Sequence, residues 1–307
     1  MPMAIHLATT VSGRRGGDQV VLASADEEEP AVVPLDVGDP ASVTPTWARY
    51  VAGVVAELRP TQGFTGSVTT TLPVGAGLSS SAALEVAVAL ALGAELDAVE
   101  LARLCRRAEQ RASGVPCGIM DQLASTAGVA GHALLIDCHT ETVTPVPLPD
   151  GVEVRVVHSG QSRSLDGSAY RRRCEEVEAA QAILGPLWSL RDAAVADQLN
   201  DPVARRRARH VITENDRVRT VAAALAAGDL TTVGRAMAAS HASLRDDFEV
   251  STSTLDALVD RLATTPGVLG ARLTGAGFGG CVVALTEPGA LDEGWSVRAT
   301  GGAHLGG

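Results

Sequence analysis

The sequence predicts an α+β fold of two domains. A length of 307 residues with 46% hydrophobic content supplies apolar mass for two cores. The first third is rich in strand patterns and much of the second half is helical. Pro-Leu-Pro-Asp-Gly at 147–151 reads as the break between them. The expected domains are therefore 1–150 and 151–307.

Ile5 to Val11 and Asp18 to Ser24 read as strands joined by the Gly-Arg-Arg-Gly-Gly turn at 13–17. Asp26 to Glu29 is a short acidic loop, read as solvated surface. Trp47 to Arg59 has helical spacing through Trp47, Tyr50, Val51, Val54 and Leu58, with the aromatics read as core. Phe64 to Leu72, rich in β-branched residues, reads as a strand, and Ala82 to Leu92, almost wholly apolar, as a buried helix. Asp97 and Glu100 form a capping box for a helix running to about Ala112, with Leu101, Leu104, Cys105 and Ala108 as its buried stripe. His132 to Asp137 and Glu141 to Leu148 suggest a hairpin.

In the second domain a strand at Val152–Val157 leads into helices near 166–184, 202–227 and 230–244. Asp201 and Pro202 supply an N-cap and N1 proline for the middle one, and Gly228 its stop. A helix near 253–264 and strands around 268–273, 281–286 and 295–299 complete the pattern.

Composition narrows the function. The net charge of −11 argues against a nucleic-acid or anionic-membrane partner. No 18-residue apolar stretch free of charge stands out, and the start lacks a basic signal-peptide region. Five cysteines without CxxC spacing point to a reducing cytoplasm, with no disulfide framework and no zinc knuckle. A monomer is expected. The chain contains no lysine; its 25 basic residues are all arginine. A Walker A loop and a protein kinase each need a lysine at the phosphates, so both are excluded.

Three segments carry chemistry. Pro-Val-Gly-Ala-Gly-Leu-Ser-Ser-Ser-Ala-Ala at 73–83 lies between the Phe64 strand and the apolar helix. Its glycines allow a tight turn, and exposed amides at a helix start suit a polyphosphate. The plainer reading is a strand–turn–helix with a serine cap. Cys-Gly-Ile-Met-Asp-Gln at 117–122 places Asp121 at an apparent helix start, where capping is an equal alternative to chemistry. Glu109, taken alone, is a surface charge, and the glycine-rich run Leu273–Gly280 is a weak signal by itself.

Together and in this order these segments resemble the GHMP kinase superfamily. Residues 73–83 match its phosphate-binding second motif and Leu273–Gly280 its third. Cys-Gly-Ile-Met-Asp-Gln, Trp47 with Tyr50, and Ser168-Ala169-Tyr170 followed by Arg173 are similar to the galactokinase branch rather than to mevalonate or homoserine kinases. The resemblance implies a two-domain kinase fold with its active site in the cleft between domains. It also implies ATP-dependent phosphorylation of the galactose C1 hydroxyl, giving galactose 1-phosphate and ADP.

By the same resemblance Asp121 is the base at the sugar hydroxyl, and Ser81 with Glu109 holds Mg²⁺. Gly75, Ala76, Gly77, Leu78, Ser79, Ser80 and Ser81 cradle the ATP phosphates, and Tyr170 hydrogen-bonds the sugar. Two alternatives stand beside this reading: a related sugar-1-kinase acting on N-acetylgalactosamine or similar, and a non-catalytic sugar and ATP sensor. Sensor-type relatives lost two residues within the Ser-Ser-Ser-Ala-Ala run, which is intact here.

One departure bears on activity. Met1-Pro2-Met3-Ala4-Ile5 resembles the tail that follows the family's first motif. The motif itself, with a phosphoryl-stabilising arginine and a sugar-gripping Glu-His-Asp cluster, does not precede it in this sequence. Either a misplaced start codon or a genuinely degenerate relative accounts for this; the first is expected, since the downstream motifs retain their chemistry, and impaired activity of the 307-residue chain is its consequence.

Overall fold

The computed structural model describes residues 1–73, 77–161 and 168–306. It resolves into two compact units, one of Met1–Val74, Leu78–Pro145 and Ala299–Gly307, the other of Gly75–Gly77 and Val146–Arg298.

In the first unit β1 (Thr9–Arg15), β2 (Gln19–Ser24), β3 (Ala31–Pro34) and β4 (Phe64–Thr70) form a sheet of order β1-β4-β2-β3. β1 runs antiparallel and β2 parallel to β4. The parallel pair needs a crossover, and α1 (Ala48–Leu58) supplies its helix. β1 lies later than the sequence predicts, because Gly13 is paired opposite Gly66 inside the ladder. The turn therefore moves to Gly16 and Gly17, both at positive φ. β3 was not predicted. Its alternation of two buried and two exposed residues in Ala-Val-Val-Pro is too short to show a period.

α2 (Ser80–Ala91) and α3 (Ala98–Ser113) pack with α1 around Val20, Leu22, Val51, Val55 and Val86. The stripe read from the sequence, Leu101, Leu104, Cys105 and Ala108, is buried as expected. Asp97 caps α3 by accepting from the amides of Val99 and Glu100. Gly53, inside α1, lies against α3: a Cβ there would stand 2.4 Å from the Ala108 carbonyl oxygen. α4 (Met120–Thr126) and the hairpin β5 (His132–Asp137) with β6 (Thr142–Pro147) complete this unit. The terminal residues are bonded into it, with the Leu134 amide donating to Pro2 and that of Thr300 to Ala4.

The second unit holds an antiparallel sheet of order β10-β7-β9-β8: β10 (Trp295–Val297), β7 (Glu153–His158), β9 (Cys281–Thr286) and β8 (Val268–Leu273). α7 (Leu230–Asp246) and α8 (Ser253–Ala263) cover it through Leu244, Leu255, Val259 and Leu262. α5 (Ser168–Leu184) and α6 (Pro202–Ala227) make a second apolar cluster around Ala180, Leu187, Ala208 and Ile212. The Asp201 side chain accepts from Val203 and Ala204, and Gly228 ends α6 in the left-handed region, as the sequence predicts. Among the described residues no helix is long and apolar enough to cross a membrane.

Candidate active site

α2 opens at Ser79, whose φ of 58° is left-handed, an uncommon conformation for a residue with a side chain. No side-chain capping bond forms at Ser79, so the serine-cap reading is not realised among the described residues. Gly77 precedes it at φ 70°. Gly77, Leu78, Ser79, Ser80 and Ser81 lie at or beside this helix start, while Gly75 and Ala76 lie outside the described residues.

Within the first turn of α2, Ser81 Oγ donates to Glu109 Oε1 at 2.7 Å. Glu109 sits on α3 directly after Ala108, so the Gly53 crossing sets where its carboxylate stands. Its other oxygen, Oε2, accepts from Gln122 Nε2 at 2.5 Å. The surface charge that Glu109 suggests in isolation is thus the centre of a hydrogen-bonded group.

Gln122 is fully buried on α4, and Asp121 precedes it, partly buried in the first turn. The N-cap of α4 is Ile119 and no side chain makes a capping bond, so Asp121 does not cap this helix. The structure therefore assembles Ser81, Glu109 and the Asp121-Gln122 pair in the first unit. Tyr170 lies on the first turn of α5 in the second unit.

Two further groups stand at the site: Glu85, not singled out from the sequence, and Tyr50, read there as core. Glu85 is fully buried on α2, and among the described residues neither of its oxygens has a hydrogen-bond partner. Burial pushes its pKa up to about 10, and the charges of Glu109 and Asp121 add to the rise. The Gln122 side chain acts against that rise. Glu85 is therefore a neutral acid at pH 7. The signal was present: one ionisable residue in an apolar helix, four positions after Ser81.

Tyr50 of α1 is the second group. Burial raises its pKa, and Glu109 and Glu85 raise it further. The Cys117 thiol is likewise pushed up to about 12 by burial and by Glu109, so it stays protonated.

Among the described residues no group of three His, Cys, Asp or Glu side chains could hold a metal ion. A hydroxyl beside a carboxylate, Ser81 with Glu109, is instead the small oxygen set that suits Mg²⁺, which keeps waters and substrate phosphate oxygens as its remaining ligands. In the second unit the glycine-rich run after Leu273 turns sharply, with Gly275, Gly277, Phe278, Gly279 and Gly280 all at positive φ.

Residues 48–129 match the model for the GHMP kinases N-terminal domain and residues 221–297 that for the GHMP kinases C-terminal domain. A galactokinase of Roseiflexus sp. (strain RS-1) is 45% identical, over 93% of this chain and 77% of the relative. One of Bos taurus is 43% identical, over 94% of this chain and 78% of the relative. The crystal structure of Lactococcus lactis galactokinase complexed with galactose superposes with a TM-score of 0.90 at 29% identity, covering 98% of this chain and 87% of that one. A mevalonate kinase structure at 20% identity and TM-score 0.67 shares the fold. With both domain models matched, and relatives this similar along most of their length, the chain belongs to the galactokinase branch of the GHMP kinases.

Proposed function

We propose that this chain transfers the γ-phosphoryl group of ATP to the C1 hydroxyl of galactose, giving galactose 1-phosphate and ADP. The observation that carries the reading is the Ser81–Glu109–Gln122 hydrogen-bonded group with Asp121 beside it at the start of α4.

Asp121 accepts the proton of the sugar hydroxyl. That oxygen then forms its bond to the γ-phosphorus as the bond to the ADP oxygen breaks. A partly buried carboxylate beside the nucleophile suits that task. The uncapped helix start and left-handed turn at Ser79 support binding of the ATP phosphates by the second motif. Ser81 and Glu109 would hold Mg²⁺, which when bound neutralises phosphate charge. Gln122 fixes the Glu109 carboxylate, and Glu85, being neutral, adds no third negative charge at this group. Tyr170 is assigned to the sugar. The site's contribution is mainly positioning and charge stabilisation, as phosphoryl transfer requires. Five free cysteines support a reducing cytoplasm as the setting, and a monomer as the working form is part of the same proposal.

A coupled assay of ADP release tests the reading, run on the natural gene product with galactose and N-acetylgalactosamine in parallel. Galactose-dependent turnover that Asp121→Asn abolishes is expected. Preference for N-acetylgalactosamine would move the assignment to the related sugar-1-kinase, and no turnover with bound ATP would move it to a sensor.

A further inference from the structure

Arg207 is the largest fully buried side chain among the described residues, and nothing in the proposed reaction uses it. It lies on α6 with 1% of its side chain exposed. Taking a guanidinium out of water is expensive unless its donors are met, and here they are. Nε donates to Glu176 Oε2 at 2.7 Å, Nη2 to Glu249 Oε2 at 2.5 Å, and Nη1 to the Asp247 carbonyl at 2.5 Å. One side chain thus ties α6 to α5, through Glu176, and to the turn that follows α7.

Two more arginines share the same acceptors. Arg173 donates to Glu176 Oε2 at 2.7 Å and to the Glu249 carbonyl at 3.3 Å, and Arg206 to Glu249 Oε1 at 3.0 Å. Arg173 stands one turn after Tyr170 on α5.

The turn held at Glu249 is itself a seat. Glu249 has a left-handed φ of 55°. The next residue, Val250, is buried, and its carbonyl accepts from the Phe278 amide at 2.8 Å. A Cβ at Gly277 would stand 2.2 Å from that same oxygen, so the loop lies directly on Val250 and only glycine fits. Phe278 is held at φ 60°, a strained conformation that persists only where neighbours impose it. Thr252 adds a bond to Gln161 Oε1 at 2.9 Å, and the Gln161 carbonyl accepts from Gly280 at 2.9 Å. The glycine-rich loop is therefore clamped from the 249–252 turn, and Arg207 fixes that turn.

We propose that Arg207 is a positioning residue for phosphoryl transfer. Through Glu249 and Val250 it sets the conformation of loop 274–280, and through Glu176 and Arg173 it sets the start of the helix carrying Tyr170. The proposal rests on the reading above in one respect, that the loop and Tyr170 serve the reaction. Its geometry stands without it.

Arg207→Lys keeps the charge but not the planar fork that reaches three acceptors. Hydrogen exchange followed by mass spectrometry and NMR then reads the clamp. Loss of a charged hydrogen bond predicts exchange at Phe278 and Gly280 faster by about tenfold or more, with the amides of β8 and β9 unchanged. In the natural gene product kcat/KM for galactose should fall by a similar factor, measured well below the melting temperature. Uniform acceleration across the unit would make Arg207 a stabilising residue only and overturn the proposal. So would unchanged loop exchange, or a loosened loop with full turnover. The assignment of Asp121 is untouched by any of these, since it fails only on its own variant. If Arg207→Lys does not fold, Glu249→Gln decides, because that carboxylate is 41% exposed and its loss leaves the buried guanidinium bonded to Glu176. The same loop-specific acceleration is expected, and its absence overturns the proposal.

Discussion

Ser81 and Glu109 are 28 positions apart in sequence, yet Ser81 Oγ donates to Glu109 Oε1 over 2.7 Å. Two packed helices, α2 and α3, bring them together, and Glu109 in turn accepts from Gln122 of α4.

If this pair holds the metal, Ser81→Ala and Glu109→Gln should each raise the Mg²⁺ concentration needed for half-maximal turnover, on the order of tenfold or more, since each removes an interaction with a charged partner. Neither leaves a large cavity, so thermal melts should stay close to wild type. Steady-state kinetics with varied Mg²⁺ checks this, and unchanged metal dependence in both variants removes the assignment.

Glu85 carries a proton in the fold near pH 7 and loses it on unfolding. A carboxyl whose pKa is raised from 4.5 to about 10 makes stability decline as pH climbs between those values. Glu85→Gln keeps the shape and removes the titration. It should therefore stabilise the protein at pH 7, by on the order of 3 kcal/mol from the 2.5 units between 4.5 and 7, and flatten the decline. Urea melts at pH 5, 7 and 8 read both effects. A variant less stable than wild type at pH 7 would show that Glu85 is ionised and paired.

Gly53→Ala tests how packing sets the site. Its Cβ would stand 2.4 Å from the Ala108 carbonyl, so α1 and α3 must separate. Overpacking of this kind costs about 1–3 kcal/mol. Because Glu109 follows Ala108, the expected signature is a kinetic loss in Mg²⁺ use together with the fall in melting temperature. A stability loss with unaltered metal dependence would separate the crossing from the site.

His210 is expected to contribute to acid stability in the second unit. Burial lowers its pKa to about 4, and its Nδ1 lies 3.0 Å from Ser243 Oγ while its ring stacks on Phe248 at 4.5 Å. The folded state holds it neutral, whereas the unfolded chain protonates it near 6.5. Its stabilising contribution is thus complete above pH 6.5 and is lost as pH falls toward 4, by on the order of 3 kcal/mol. His210→Gln should flatten that limb of the stability profile, with His241, lowered in the same direction, leaving a residual slope. An unaltered limb would contradict the account.

Much of this was legible in the sequence. The α3 stripe and the Asp201–Pro202 start of α6 follow from periodicity and capping, which are local. Ser81, Glu109 and Asp121 were legible only as members of a motif set, since each alone has a plain structural reading. Glu85 escaped because an apolar helix conceals one acid until its neighbours are placed. Gln122 escaped because its partner lies 13 positions earlier, on another helix. β1 was misplaced by glycines that read as a turn but pair inside a ladder, where Gly13 faces Gly66.

The most direct test of the central claim is single-turnover ADP formation from saturating ATP and galactose, wild-type natural gene product against Asp121→Asn, with nucleotide affinity measured alongside. The amide preserves size but cannot accept the proton, and general-base contributions are worth about 10²–10⁴ in rate. A loss of that order is expected, with ATP binding and melting temperature nearly unchanged. An Asp121→Asn enzyme that turns over at the wild-type rate would contradict it.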